Sequence, residues 1–376
     1  MKRELFSEVH DDFRASFRNF IETEGVPQQE KWEAQGFTSR EFWSRAGELG
    51  FLGFQAAEEY GGLGVRDFRF NAVIDEEVAR CGLATDGFSL HNDIVAPYLS
   101  EYASGRQKER WLPGFVNGTL ITAIAMTEPG TGSDLARITT TARESNGTLI
   151  LSGAKTFITN GHMADLVLVL ARTSVGGLSV VAVERGTPGM TQAPPLHKVG
   201  RKAQDTAEVI FDDVRVPGDN LIGEPDRAMD LIKRNLPQER LAIAVTALAS
   251  TERALAIGKR YAIERETFGR PLFKHQTVLH SFAEMNTDLE FARSHIDRCI
   301  LALNEGVLTP EEAAAAKYRT TDIEGDVIDR VLQLHGGYGY MEEMPIARMW
   351  RDARVQRIYG GANEIMKEIV GRGVFA

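Results

Sequence analysis

The sequence predicts a mainly α protein with a central β domain, and three observations carry that prediction. Apolar residues recur every three to four positions up to about residue 120, the period of an amphipathic helix. From about 121 to 225 the pattern changes to short β-branched runs separated by Gly, Pro and Asn-Gly. Helical periodicity then returns in long segments from about 226. At 376 residues the chain is too long for one ordinary core, so the three regions read as three domains: 1–121 helical, 122–226 β and 227–376 helical.

Each element has its own signal. Phe13, Phe17 and Phe20 mark one helix face, and Thr38-x-x-Glu41 reads as a capping box ahead of Phe42, Ala46 and Leu49. The β region opens on the apolar run Leu120 to Ala125. It continues through runs at 148–152, 166–171, 178–184 and 208–211, with Asn146-Gly147 as a hairpin turn. That turn also completes a glycosylation sequon with Thr148, read as accidental in a cytosolic chain. In the last region Thr309-Pro310-Glu311-Glu312 starts a helix, with Pro at its first position, and Gly336-Gly337 stops it. A site is expected where the domains meet.

Composition excludes several classes. Hydrophobic content of 43% and charged content of 26% are those of a soluble globular protein. A net charge of -10 argues against nucleic acid or an anionic membrane as partner. Apolar runs such as 166–171 fall far short of a membrane span, and the acidic N-terminus suits neither a signal nor a transit peptide. Two distant cysteines, Cys81 and Cys299, fit a reducing compartment, so a cytoplasmic location is expected. There is no G-x-S-x-G elbow, no phosphate-binding G-x-x-x-x-G-K-[ST] loop and no H-E-x-x-H zinc motif; no metal is expected. His91, His275 and His280 read as structural or surface residues.

The most informative stretch is Ala125-Met126-Thr127-Glu128-Pro129-Gly130-Thr131-Gly132-Ser133-Asp134. Its hydroxyls, amides and glycines offer hydrogen bonds to a flat, phosphate-bearing ligand with little bulk in the way. The same composition also makes an ordinary turn. It is not a dinucleotide fingerprint, because Leu135 occupies the third glycine position. Four further segments stand out in order: Lys155-Thr156-Phe157-Ile158-Thr159-Asn160-Gly161; Arg265-Glu266-Thr267-Phe268-Gly269 with Gln276; Gln333-Leu334-His335-Gly336-Gly337-Tyr338-Gly339-Tyr340; and Arg351-Asp352-Ala353-Arg354 through Ile358-Tyr359-Gly360-Gly361-Ala362-Asn363-Glu364. Together the five segments resemble the acyl-CoA dehydrogenase family over essentially the whole chain.

That resemblance implies a middle β-barrel or sandwich, a C-terminal four-helix bundle, one FAD per subunit and a homotetramer. It implies flavin contacts from Met126, Thr127 and Thr159, with Phe157 (Trp in many relatives) shielding the flavin face. Gly132 and Ser133 would lie by the pyrophosphate, Ser133 also by the CoA arm. Arg265, Thr267, Phe268 and Gln276, contributed by a neighbouring subunit, would hold the pyrophosphate and adenosine end together with Gln333, Gly336 and Gly337. Ala362 and Glu364 complete the implied cofactor contacts. The chemistry agrees, since Arg pairs with phosphate and paired glycines admit a bulky ligand. Read alone, Gly336-Gly337 is a helix stop.

Oxidising the Cα–Cβ bond of a thioester needs a base for the α proton. Many relatives carry it as the Glu of Tyr-Glu-Gly-Thr, where this chain reads Tyr359-Gly360-Gly361-Ala362. A long-chain and isovaleryl-type minority place it on another helix, immediately before an Arg; here that is Glu239-Arg240. Ala242, Ile243, Thr246 and Ala247 follow at helical spacing, so Glu239 would lie on a largely apolar stripe with its pKa raised. Read alone, Glu239 could equally be a helix-start carboxylate; Glu128 and Glu364 are weaker candidates for the base. Arg240 would turn toward the CoA phosphates or a structural carboxylate. Tyr359 and Gly360 would meet the substrate, the Gly360 N–H at the thioester carbonyl.

The reading is a dehydrogenase that converts a fatty acyl-CoA to the trans-2-enoyl-CoA and passes electrons to an electron-transferring flavoprotein. Alternatives are the same chemistry on a carrier-protein thioester, an oxidase using oxygen, and a non-catalytic acyl-CoA binder.

Overall fold

The computed structural model describes residues 3–83, 85–174 and 176–376. Helices come first: α1 (Glu8–Phe20), α2 (Gln29–Gln35), α3 (Arg40–Glu48), α4 (Phe68–Cys81), α5 (Gly87–Ser89) and α6 (Gly105–Val116). Between α5 and α6 the helical stretch widens into π-turns at Leu90–Val95 and Tyr98–Tyr102. Phe17 and Phe20 of α1 are buried against Phe42, Phe51 and Trp32 in an aromatic core. The cap of α3 lies one residue later than expected. Ser39, not Thr38, accepts from the Phe42 amide, because the Thr38 hydroxyl accepts instead from the Trp43 indole at 2.9 Å.

Eight strands then form one sheet: β1 (Thr122–Ala125), β2 (Thr141–Ser145), β3 (Thr148–Thr159), β4 (Leu166–Arg172), β5 (Leu178–Glu184), β6 (Met190–Gln192), β7 (Thr206–Pro217) and β8 (Leu221–Ile222). Their order is β6-β7-β3-β2-β4-β5-β8, with β1 parallel beside β4. The β2–β3 hairpin turns at Asn146-Gly147, both at positive φ, as the sequence indicated. β4 is apolar on both faces for a reason: Leu166, Leu168 and Leu170 pack on the helices around Trp111 and Phe115, while Val167, Val169 and Ala171 fill the sheet's own core.

The third region begins at α7 (Ala228–Glu264), 37 residues and roughly 55 Å long. A two-stranded ribbon, β9 (Glu266–Thr267) and β10 (Arg270–Pro271), leads to α8 (Gln276–Asn304), then α9 (Pro310–Leu334), α10 (Pro345–Ala353) and α11 (Asn363–Val374). The Thr309 capping box is present, and α9 ends just before Gly336. Leu241, Val245 and Leu248 of α7 meet Met285 and Leu289 of α8 and Val327 and Val331 of α9 in one apolar core. α7 holds a window apolar and long enough to cross a membrane, which inspection of uninterrupted apolar runs passes over; 61% of that window is buried inside the molecule, as in a core helix.

Candidate active site

One cleft is walled by all three regions, and it opens beside the loop that follows β1. Parallel pairing of β1 with β4 aims that loop across β3, where the Thr127 carbonyl accepts from the Thr156 amide at 3.0 Å. Lys155 clamps it from beneath. Its ammonium, wholly buried, donates to the Met126 carbonyl and to Glu128, both at 3.0 Å. Burial alone would raise the Glu128 carboxyl, but hydrogen bonds from Thr139 and Thr140 hold it down to about 2. Glu128 is thus engaged by Lys155, Thr139 and Thr140 and lies outside the cleft lining.

Register shifts in the β3–β7 pairing between Lys155 and Ile158 turn Phe157 out at φ +58, 67% exposed on the rim of the cleft. Met126, Thr127 and Thr159 line the same wall. An exposed ring, a thioether and two hydroxyls beside a cleft of about 850 Å³, counted to its open mouth, fit a flat ring with polar edges. Gly132 and Ser133 lie further along the loop, exposed and outside the cleft lining.

The facing wall belongs to α7. Glu239, Ile243 and Thr246 are spaced four and three residues apart, so one helix face presents all three to the cleft. Glu239 lies eleven residues inside α7, so the helix-start reading does not apply. Burial raises its carboxyl above the usual 4.5, against the opposing charges of Arg240 and Lys317. Arg240 is 6% exposed, lies outside the cleft lining and has its Nε unpartnered. One residue along a helix is about 100° around it, which is why Glu239 and its neighbour face different surroundings.

Tyr359 and Gly360 close the cleft opposite α7. Lys317 of α9 fixes their loop, donating to the Gly361 carbonyl at 2.8 Å and to Asn363 at 2.9 Å. Ala362 caps α11, and Glu364 is exposed in its first turn, outside the cleft. A second group of predicted residues gathers elsewhere. Arg265, Thr267, Gly336 and Gly337 line a groove between the ends of α7 and α9 and the β9–β10 ribbon, where the Tyr261 ring stacks on His335 at 4.0 Å. Phe268 stands at the ribbon turn, 98% exposed, and Gln276 and Gln333 are exposed nearby in sequence. This groove shares no lining residue with the cleft. Sequence reasoning missed Asp86, Ser89, Leu90 and Ile94 in the cleft, and Lys155 and Lys317 as its clamps; nothing local in the sequence marks them.

Comparison with known proteins agrees with this arrangement. Residues 7–119, 123–214 and 227–375 match the N-terminal, middle and C-terminal domains of acyl-CoA dehydrogenase. The chain is 44% identical to the long-chain specific acyl-CoA dehydrogenase, mitochondrial, of Rattus norvegicus, over 99% of this chain and 88% of that protein. It superposes with a TM-score of 0.97 and 44% identity on an acyl-CoA dehydrogenase from Geobacillus kaustophilus, covering 100% of both chains. An acyl-CoA dehydrogenase complexed with FAD from Bacillus anthracis gives 0.94 at 31% identity, covering 100% of this chain and 68% of that one. With the cleft's fit to a flat ring, these matches place the chain in the acyl-CoA dehydrogenase family, as an FAD-dependent oxidoreductase acting on CH–CH bonds.

Proposed function

We propose that the chain dehydrogenates a fatty acyl-CoA thioester to the trans-2-enoyl-CoA, with Glu239 as the base. The observation that carries this reading is the placement of Glu239, a desolvated carboxyl facing Gly360 across the same cleft that Met126, Thr127 and Thr159 line. Bound FAD supplies the hydride acceptor for Cβ. Glu239 Oε takes the α proton, and its raised pKa makes it a stronger acceptor than an ordinary carboxylate. The Gly360 N–H donates to the thioester carbonyl, stabilising the enolate-like charge as the proton leaves. Tyr359, Ile243 and Leu90 exclude water from the reacting carbons.

Electrons pass to an electron-transferring flavoprotein, for which the exposed Phe157 rim is the exit side. The separate groove around Arg265 and Gly336 supports a homotetramer in which it serves the cofactor of another copy. A cytoplasmic location rests on the two unpaired cysteines, Cys81 and Cys299. The test is anaerobic: acyl-CoAs are mixed with holoprotein and flavin absorbance is followed. Glu239→Gln should retain FAD and bind acyl-CoA, yet reduce about a hundredfold to ten-thousandfold more slowly. Reduction at the wild-type rate would remove Glu239 from the role.

A further inference from the structure

The cleft has two chemically different ends. Its long walls are α7 and the helical stretch 87–102, which run in opposite directions. Gln238 donates to the Asp93 carbonyl at 2.7 Å, and Tyr98 lies beside Asn235. Moving along α7 from Glu239 to Thr246, about 10 Å, therefore leads back along the other wall from Ile94 toward Ser89 and Asp86. Ser250, one turn further on α7, bonds Glu324, which neighbours Arg201, the partner of Asp86 at 2.5 Å. Between the ends the lining is apolar: Leu90, Ile94, Ile124 and Ile243. At the far end it is polar: Asp86, Ser89 and Thr246, with the Tyr359 hydroxyl beside Asp86 and Arg201.

Asp86, Ser89 and Thr246 share one hydrogen-bonding character. Thr246 Oγ1 donates to the Ala242 carbonyl at 3.1 Å, so its proton is used within the helix. Ser89 Oγ donates to the Asp93 carboxyl. Asp86 is a carboxylate, with Oδ1 taken by Arg201. Each therefore faces the cleft as an acceptor. Behind Ser89, Asp75 and Asp93 are 3% and 1% exposed, and Asn71 donates to Asp93 at 2.5 Å. Burial pushes Asp93 up to about 6, and burial and the Asp93 charge raise Asp75 further, so no cation is needed to hold this pair.

We propose that this far end is a subsite for a hydroxyl group carried on the acyl chain of the substrate, on the order of 10 Å beyond the carbons that react. The inference rests on the reading of the cleft as an acyl-CoA dehydrogenation site and names its substrate class. Apart from the Tyr359 hydroxyl beside Asp86, an unsubstituted chain reaching this end would strip water from these acceptors and return no donor, which costs free energy. A terminal carboxylate would meet Asp86 and the carboxyl pair. A terminal ammonium would find the Asp86 charge already matched by Arg201. A neutral hydroxyl supplies the missing donor and leaves the charges balanced.

The test uses holoprotein and two matched series, unsubstituted and ω-hydroxy acyl-CoAs from butyryl to tetradecanoyl, with flavin reduction followed anaerobically. At the length that reaches Thr246, the hydroxylated member should have kcat/KM about tenfold or more above its parent. The dissociation constants of the corresponding 2-enoyl-CoA products, by calorimetry, should show the same order. Ser89→Ala and, as a variant of nearly unchanged volume, Thr246→Val should each narrow that ratio while improving use of the unsubstituted chain; Ser89→Thr should preserve it. Equal rates and equal affinities for the two series in the wild type would overturn the subsite and leave the dehydrogenation reading intact. Absence of flavin reduction by either series would overturn the dehydrogenation reading, and the subsite with it.

Discussion

Gly360 and Glu239 face each other so closely that a Cβ on Gly360 would lie 3.7 Å from Glu239 Oε1. The same Cβ would fall 2.3 Å from Cδ1 of Ile243, one turn along α7. Gly360 also has φ +63, a conformation that costs an L residue roughly 1–2 kcal/mol. A side chain at this position would have to displace the end of Ile243 and hold a left-handed backbone, while Glu239 presents a carboxyl from the opposite wall.

Gly360→Ala should lower the melting temperature and slow flavin reduction, because both the collision and the dihedral strain act at the reacting end of the cleft. Adding Ile243→Val removes the colliding methyl and should recover the packing part of the loss but not the strain. Thermal melts of the two variants check this; equal melts would refute the collision.

The pH dependence follows from Glu239. Burial raises its folded pKa above 4.5, and a base works only when deprotonated, so the acid limb of kcat/KM should lie above pH 4.5. For stability the sign runs the other way. A carboxyl with a raised folded pKa stabilises the fold below pH 4.5, and that contribution is lost as pH rises through the folded value. Glu239→Gln should therefore gain in melting temperature relative to wild type as pH rises. Paired melts across that range are the measurement, and a gap that does not move with pH contradicts it.

Glu128→Gln should destabilise the protein by about 3–5 kcal/mol, because Lys155 would remain buried without its counter-charge. Burial already pulls Lys155 down to about 8, so the pair positions the loop more than it stabilises the fold. The double variant Glu128→Gln, Lys155→Met should cost less than Glu128→Gln alone in denaturant unfolding. Glu128 is held at about 2, so its stabilising effect is present above pH 4.5 and lost as pH falls toward 2; the gap between wild type and Glu128→Gln should shrink over that interval.

Phe157→Ala should slow electron transfer to a protein acceptor about tenfold more than it slows reoxidation by a small dye. The residue is 67% exposed on the rim, so it offers contact area to a partner rather than support to the core. Stopped-flow reoxidation with each acceptor separates the two. An equal effect on dye and protein would assign Phe157 to the flavin site alone.

Much of this was legible in the sequence because it is local. The Thr309 box, the Asn146-Gly147 hairpin and the stop at Gly336 depend on a few adjacent residues, and each forms as read. The apolar stripe after Glu239 follows from helical period alone. Thr38 misled because its hydroxyl has a tertiary partner, Trp43, that no local rule reveals. The surroundings of Arg240 are likewise set by which face of α7 the bundle covers.

The sequence by itself determined the succession of helical, β and helical regions, the family and the vacancy at position 360, since periodicity, turn chemistry and motif order are written along the chain. Only the tertiary structure decided what each of these faces. It set Glu239 opposite Gly360, drove the Lys155 ammonium under the loop, and brought Asp86, Ser89 and Thr246 to one end of the cleft. These residues are separated by up to 274 positions, and their meeting depends on how α7 packs against the helices before it and the sheet beside it, which no local pattern encodes.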